Sequence, residues 1–217
     1  MSSIFQEVDE ELRRERLKKL WDRYGGYVLA LAVLIVVAVG GWRGYEWYQN
    51  KRAAEAGAAF ELAAQFANQG KLQEAEAAFG KIAAESTAGY RALARFREAA
   101  AQVTRDAPAA VKAFDSIAND GTAPALLRDL ASIRAGLIAV DQVKYDDFRT
   151  RLEPLSGADR AFRHTARELL AISAWRSGDF KASQRWSEMI LGDPEAPSGA
   201  RNRAEMLLAF LADELKS

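Results

Sequence analysis

Cysteine is absent from this 217-residue chain, and histidine occurs once, at His164. Without thiols there is no disulfide framework, no thiolate metal site and no cysteine nucleophile. The lack suits reducing and oxidising compartments alike and does not choose between them. A lone histidine makes neither a typical zinc site nor a catalytic triad; on its helical segment it reads as a surface or packing residue. Net charge is also lacking, since 30 Lys and Arg balance 30 Asp and Glu. From Ala53 onward 21 basic residues stand against 23 acidic ones, so no basic excess marks a nucleic-acid binder. No glycine-rich phosphate loop occurs: Gly25-Gly26 and Gly40-Gly41 border an apolar run instead. Asp141, Asp146 and Asp147 lack the glycine and the closing glutamate of a calcium loop. The expectation is a non-enzymatic protein with no cofactor and no metal.

What the chain has is one long apolar run, Tyr24 to Trp42, with 19 uncharged residues between Arg23 and Arg43. As a helix it measures roughly 28 Å, close to the ~30 Å hydrocarbon core of a bilayer. Trp21, Tyr24 and Tyr27 stand at one end and Trp42, Tyr45, Trp47 and Tyr48 at the other. Rings of this kind favour the headgroup level. Trp21, Tyr24, Trp42 and Arg43 are therefore candidate membrane-interface anchors. Arg13, Arg14, Arg16, Lys18, Lys19 and Arg23 precede the run, whereas Arg43, Lys51 and Arg52 follow it. The basic excess marks the cytoplasmic side. In a bacterium this gives a single-pass inner-membrane protein, N-terminus cytoplasmic and the larger part periplasmic. Ala38-Val39-Gly40 would serve as a signal-peptidase site, but an acid-rich leader of more than 20 residues is atypical, and an uncleaved anchor is the better reading. Within the tail, Ile4, Phe5, Val8 and Leu12 fall on one helical face.

From Ala53 onward about a quarter of the residues are alanine, which favours helix over long windows. One pattern recurs. Ala75, Phe79 and Ile82 are followed by Ala110, Phe114 and Ile117, by Phe148, Leu152 and Leu155, and by Ala182, Trp186 and Met189. Each set keeps offsets of four and seven, the spacing of one helix face. The sets start 35, 38 and 34 residues apart. A second helical pattern precedes each, with Ala63, Ala100, Gly136 and Ala171 as small residues that admit a close neighbour. Gly70 and Gly178 stand at turns that need a left-handed backbone.

These residues resemble tetratricopeptide repeats, whose pattern runs Leu-small-x-x-aromatic, Gly-x-Tyr/Phe, Ala-x-x-x-Phe-x-x-Ala, then Pro. Leu62, Ala63, Phe66, Gly70, Leu72, Ala75 and Phe79 carry the likeness, and Gly178, Phe180, Ala182, Trp186 and Pro194 carry it again. The two middle repeats are degenerate. The fold expected is all-α: a cytoplasmic tail over 1–23, a transmembrane helix over 24–42 and a helical connector over 43–55. About four helix pairs follow over 56–194, then a capping helix over 195–217 with a polar outer face and an apolar stripe of Ala204, Leu207, Leu208, Leu211 and Leu215.

The layout as a whole, with the tail FQEVDEELRRERLKKLWDRYG, resembles the YfgM family, ancillary subunits of the SecYEG translocon. That resemblance implies a periplasmic repeat domain that meets translocon subunits, periplasmic chaperones or exported chains. An alternative role is a structural organiser of an envelope-assembly or cell-division complex. In stacked helical pairs the first helices line the concave surface. Phe60, Ile133, Leu137, Trp175 and Arg176 are thus the candidate partner-binding groove, Trp and Arg being enriched where binding energy concentrates.

Overall fold

The computed structural model describes residues 3–214, and within them the side chains of all but residues 3–13, 15–17 and 213. The expected apolar face of Ile4, Phe5, Val8 and Leu12, and the stripe's last member Leu215, lie outside what is described. The described residues are all-helical, with no strand. They divide into two compact units, Met1–Ala54 and Glu55–Ser217.

Helix α1 covers Ser3–Asn68. Between Arg43 and Asn68 the sequence holds no proline, so nothing interrupts the ladder there. In the first unit α1 carries the apolar run, and among the described residues it is the one helix long and apolar enough to cross a membrane. Leu29, Leu34, Val36 and Val37 all stand exposed.

The second unit begins with the last turns of α1 and continues as α2 Leu72–Glu85, α3 Ala88–Gln102, α4 Ala107–Ala118, α5 Ala125–Ala139, α6 Tyr145–Leu152, α7 Arg163–Arg176, α8 Phe180–Leu191 and α9 Ser198–Glu214. Two of its turns are built alike. Gly70 has φ 75° and Gly178 φ 78°. Lys71 N–H donates to the Phe66 carbonyl and Gly70 N–H to that of Ala67, both at 3.0 Å. Asp179 N–H to Ala174 and Gly178 N–H to Trp175 repeat the arrangement at 3.0 Å. This pair of bonds closes the last carbonyls of a helix and requires a left-handed residue between them. Aspartates open two of the second helices: at α4 Asp106 accepts from Ala109 N–H and at α8 Asp179 accepts from Ala182 N–H, each at 2.9 Å.

The recurring sets form the core. Phe79, Phe114 and Phe148 are about 1% exposed and Trp186 4%. Each rests on alanines of the neighbouring helices: Phe79 with Ala63 and Ala94, Phe114 with Ala99, Ala131 and Ala135, Trp186 with Ala171 and Ala174. Burying one such ring stabilises by about 1.5–3 kcal/mol. Trp186 Nε1–H also donates to the Tyr145 hydroxyl at 2.8 Å inside the core. In the third pair, Gly136 makes room. A Cβ there would lie 2.9 Å from Leu152 Cδ1.

Three details depart from the repeat pattern. Met189 is 39% exposed while Ile190 is 1% exposed. Helix α8 is packed by α9 as well as by α7, and the face is turned by one residue so that Ile190 meets Ala196, Ala200 and Ala204. Helix α6 has only eight residues, because Pro154 in the following 3-10 turn Glu153–Leu155 cannot continue it. Finally, Ser173, Ser183 and Ser187 are fully buried. They are small enough for α7 and α8 to close together, and their hydroxyls have no partner.

Arginines tie the layers across helices. Arg105 meets Glu76 at 2.5 Å, Arg151 meets Asp115 at 2.9 Å and Arg160 meets Asp129 at 2.6 Å. At the α8–α9 corner Asp193 accepts from Arg163 at 2.8 Å and from Arg167 at 3.0 Å, with His164 Nε2 also at 3.0 Å. The Arg163 hydrogen bond holds the Asp193 carboxyl well below the usual carboxylate range, although partial burial opposes it. Asp120 is lowered to about 2, first by the Thr122 hydroxyl and then by Arg95.

Three outcomes follow from these contacts. Gly178→Ala forces a side chain into the left-handed region, and denaturant unfolding should show a loss of about 1–2 kcal/mol. Trp186→Phe strands the buried Tyr145 hydroxyl, and the same measurement should show a loss of about 1–3 kcal/mol. Asp120 and Asp193 have depressed folded values, so their stabilisation is complete above the ordinary value of 3.8 and drains away as pH falls through the folded values. The thermal midpoint should therefore hold above about pH 4 and drop as pH falls from there to 2 and below, and Asp193→Asn should lower it at pH 7 and flatten that drop.

Candidate functional site

Many inward positions on the first helix of each pair are alanine, and although Ile133, Leu169 and Leu170 are buried, other large apolar residues of those helices face outward. Among the described residues of the second unit, the exposed large apolar side chains are Leu62, Leu93, Leu126, Leu137, Trp175, Met189, Met206 and Phe210. All but Met189 lie on the last turns of α1, on α3, α5, α7 or on α9. The second helices α2, α4 and α6 offer none.

The residues expected to line a groove separate accordingly. Leu137 and Trp175 are 47% and 43% exposed and remain available. Phe60 is half-buried, its ring 5.2 Å from Phe79 in an edge contact and 6.0 Å from Tyr90. It packs the first pair rather than a groove. Ile133 is 3% exposed and belongs to the core around Phe148, because the large residue at this position meets α6 and α7. Arg176 is engaged as a clasp. Its guanidinium donates to the Val140 carbonyl and, at 2.5 Å, to that of Asp141, just past the end of α5. A cation there satisfies terminal carbonyls and the helix dipole.

Trp175 is one wall of a cleft of about 370 Å3 between α7 and α9. Ile172 extends that wall, Met206, Leu207 and Phe210 form the other, and Ile190 of α8 lies beneath. Met206 is 55% exposed and Phe210 71%. The charged residues at the rim are Glu168 and Arg203, which are spent on each other through two hydrogen bonds, Arg203 Nη2 to Glu168 Oε2 at 2.8 Å among them. The carboxylate beside it raises the Arg203 guanidinium above its ordinary value.

The outer face of α9 is thus apolar in part, against the polar cap expected of a terminal helix. Ala204 and Leu211 are buried as the stripe required, but Met206 and Phe210 form a second apolar pair four residues apart. That spacing was visible in the sequence. It was masked by the broader stripe beside it.

Beside the apolar run of α1, Trp21 and Trp42 are 65% and 72% exposed, and Tyr24 is also exposed. Trp21 lies over Gly25, where a Cβ would come within 3.1 Å of the indole. The Arg23 guanidinium stands 5.7 Å from the Tyr24 ring centre, Lys51 Nζ 5.7 Å from that of Trp47 and the Arg52 guanidinium 5.9 Å from that of Tyr48. Arg43 pairs with Glu46 at 3.2 Å. Aromatic rings with cations beside them thus flank the apolar run at both ends.

No curated protein and no solved structure matches the chain. The family profile described as Tetratricopeptide repeat-like domain matches residues 18–182, spanning most of the apolar helix and the pairs through the start of α8. With helix pairs, turn glycines and packed rings in the places that repeat demands, the chain belongs to the tetratricopeptide repeat-like domain family.

Proposed function

We propose that the chain is a membrane-anchored, non-enzymatic scaffold whose repeat unit holds other proteins at the periplasmic face of a bacterial inner membrane. The observation that carries this reading is the distribution of exposed apolar side chains. They lie on the first helices, from Leu93 and Leu137 to Trp175 and Phe210, while the second helices are almost bare of them. Trp175, Met206 and Phe210 gather around one cleft, and exposed apolar patches mark protein interaction sites. The family supports a role in protein–protein contact.

The anchor gives this face a fixed location. Confinement to the membrane raises the effective concentration of the repeat unit toward membrane partners without any new contact. The basic excess before the apolar run supports a cytoplasmic N-terminus. The likeness of the tail and layout to the YfgM family supports the SecYEG translocon, periplasmic chaperones and newly exported chains as the partners.

Two experiments test the reading separately. A reporter active only outside the cytoplasm, fused after Ser217, should be active, and activity of a cytoplasmic reporter at the same position would reverse the topology. A photocrosslinker at position 175 in intact cells should capture translocon subunits, chaperones or exported chains. Capture of cell-wall assembly or division proteins alone would replace the translocon role with an organising one. The same crosslinker at position 189, on α8, should capture at least about tenfold less, as expected if binding energy concentrates at a few residues.

A further inference from the structure

We infer that the cleft between α7 and α9 is a seat for one amphipathic helix of a partner protein, entering by an uncharged apolar ridge. The inference rests on the scaffold reading above and names the ligand class for one end of the repeat unit.

Three features select this occupant. The first is shape. The wall on α7 runs from Glu168 to Trp175 and that on α9 from Arg203 to Phe210. Each covers eight residues, and the seven rises between its ends span about 10 Å of helix. A trough two turns long between two helices matches a ridge of residues at i, i+3 or i+4, and i+7. Its 370 Å3 holds about two bulky side chains, given that a cavity of ~150 Å3 accepts a benzene ring.

The second is polarity. Helices form both walls, and their backbone groups are already bonded along their own ladders. An extended segment would bring unpaired N–H and C=O groups into an apolar trough with no edge strand to meet them. A helix satisfies its own backbone and offers only side chains. The rim carries no free charge, because Glu168 and Arg203 neutralise each other, so nothing rewards a charged ridge.

The third is size. Trp175, Met206 and Phe210 are the most exposed apolar parts of the walls. At their exposures they offer on the order of 300 Å2, large apolar side chains burying roughly 150–250 Å2 each. A stable dimer needs about 800 Å2 per partner. The surface is too small for a second copy and sufficient for a single helix ridge.

The test uses the full chain in zwitterionic lipid nanodiscs and a fluorescein-labelled 18-residue helical peptide. One face of the peptide carries Leu at i, i+4 and i+7, and the other carries paired Glu and Lys. Fluorescence anisotropy should show saturable binding above that of empty discs. Phe210→Glu and, independently, Met206→Glu should each weaken it by about tenfold or more. Both residues are exposed, so far-UV circular dichroism melts should be unchanged. Met189→Glu, on α8 outside the cleft, should leave binding intact, and a peptide with a central proline should not bind. The inference is overturned by an absence of saturable binding, by equal binding of the proline peptide, by indifference to both cleft variants, or by a dimer that Phe210→Glu dissolves. If crosslinks from position 175 persist in cells while the helical peptide fails, the scaffold role stands and the helix ligand is wrong. If the peptide binds and cells yield no crosslink, the reverse holds.

Discussion

Alanine sets the spacing of the repeat unit. Ala63, Ala94, Ala99, Ala131, Ala135, Ala171 and Ala174 are all essentially buried on first helices, and each second helix contributes a ring or a branched chain that fills the resulting gap. Interiors are close-packed, so this complementarity is felt to within a methylene. It has a second consequence. Where inward positions are given to methyl groups, some larger apolar residues of the same helices are left on the outside, while Ile133, Leu169 and Leu170 go inward. Leu93, Leu137 and Trp175 are exposed because their neighbours on the helix, and not they themselves, were fitted to the core. The packing rule that builds the stack thus also paints its first helices with apolar surface.

At the last pair the rule changes. Helix α8 has neighbours on two sides, and its buried face widens to include Ser183 and Ser187 with Ala182, Trp186 and Ile190. Serine is tolerated there for its size, its hydroxyl left without a partner, a cost of about 1–3 kcal/mol for each such group. Helix α9, with Leu211 buried, then lies against α8 through Ala200 and Ala204, which meet Ile190. Its remaining apolar residues stay open toward Trp175. The array ends in an unfilled trough rather than a polar cap. Around the corner, Arg163, Arg167 and Arg201 hold the α8–α9 connection through Asp193 and carbonyls such as Leu191.

Much of this was legible in the sequence, for identifiable reasons. The helix pairs could be read because Phe79, Phe114, Leu152 and Trp186 repeat at near-constant spacing, and periodicity is the direct imprint of a buried face. Gly70 and Gly178 could be read because a left-handed turn restricts the residue to few types. The groove could not be read as well. Phe60 and Ile133 occupy first helices just as Trp175 does, and only the neighbours decide which of them is covered. Phe60 is met by Phe79 and Tyr90, contacts that depend on how α2 and α3 close over it. Arg176 reads as a binding residue in the sequence and is a helix clasp, since its hydrogen bonds go to backbone carbonyls, invisible to a side-chain pattern. Phe210 lay outside the expected set because a terminal helix was assumed to be polar outside.

Footprinting of the full chain with a photoactivated carbene, in native membranes and again after purification into nanodiscs, tests most directly whether the first-helix face is a partner surface. Leu93, Leu137, Trp175 and Phe210 should be labelled strongly in the purified protein and protected in native membranes, with Met189 labelled alike in both. Equal labelling of the first-helix residues in the two preparations, or protection confined to Met189 and its helix, would contradict it.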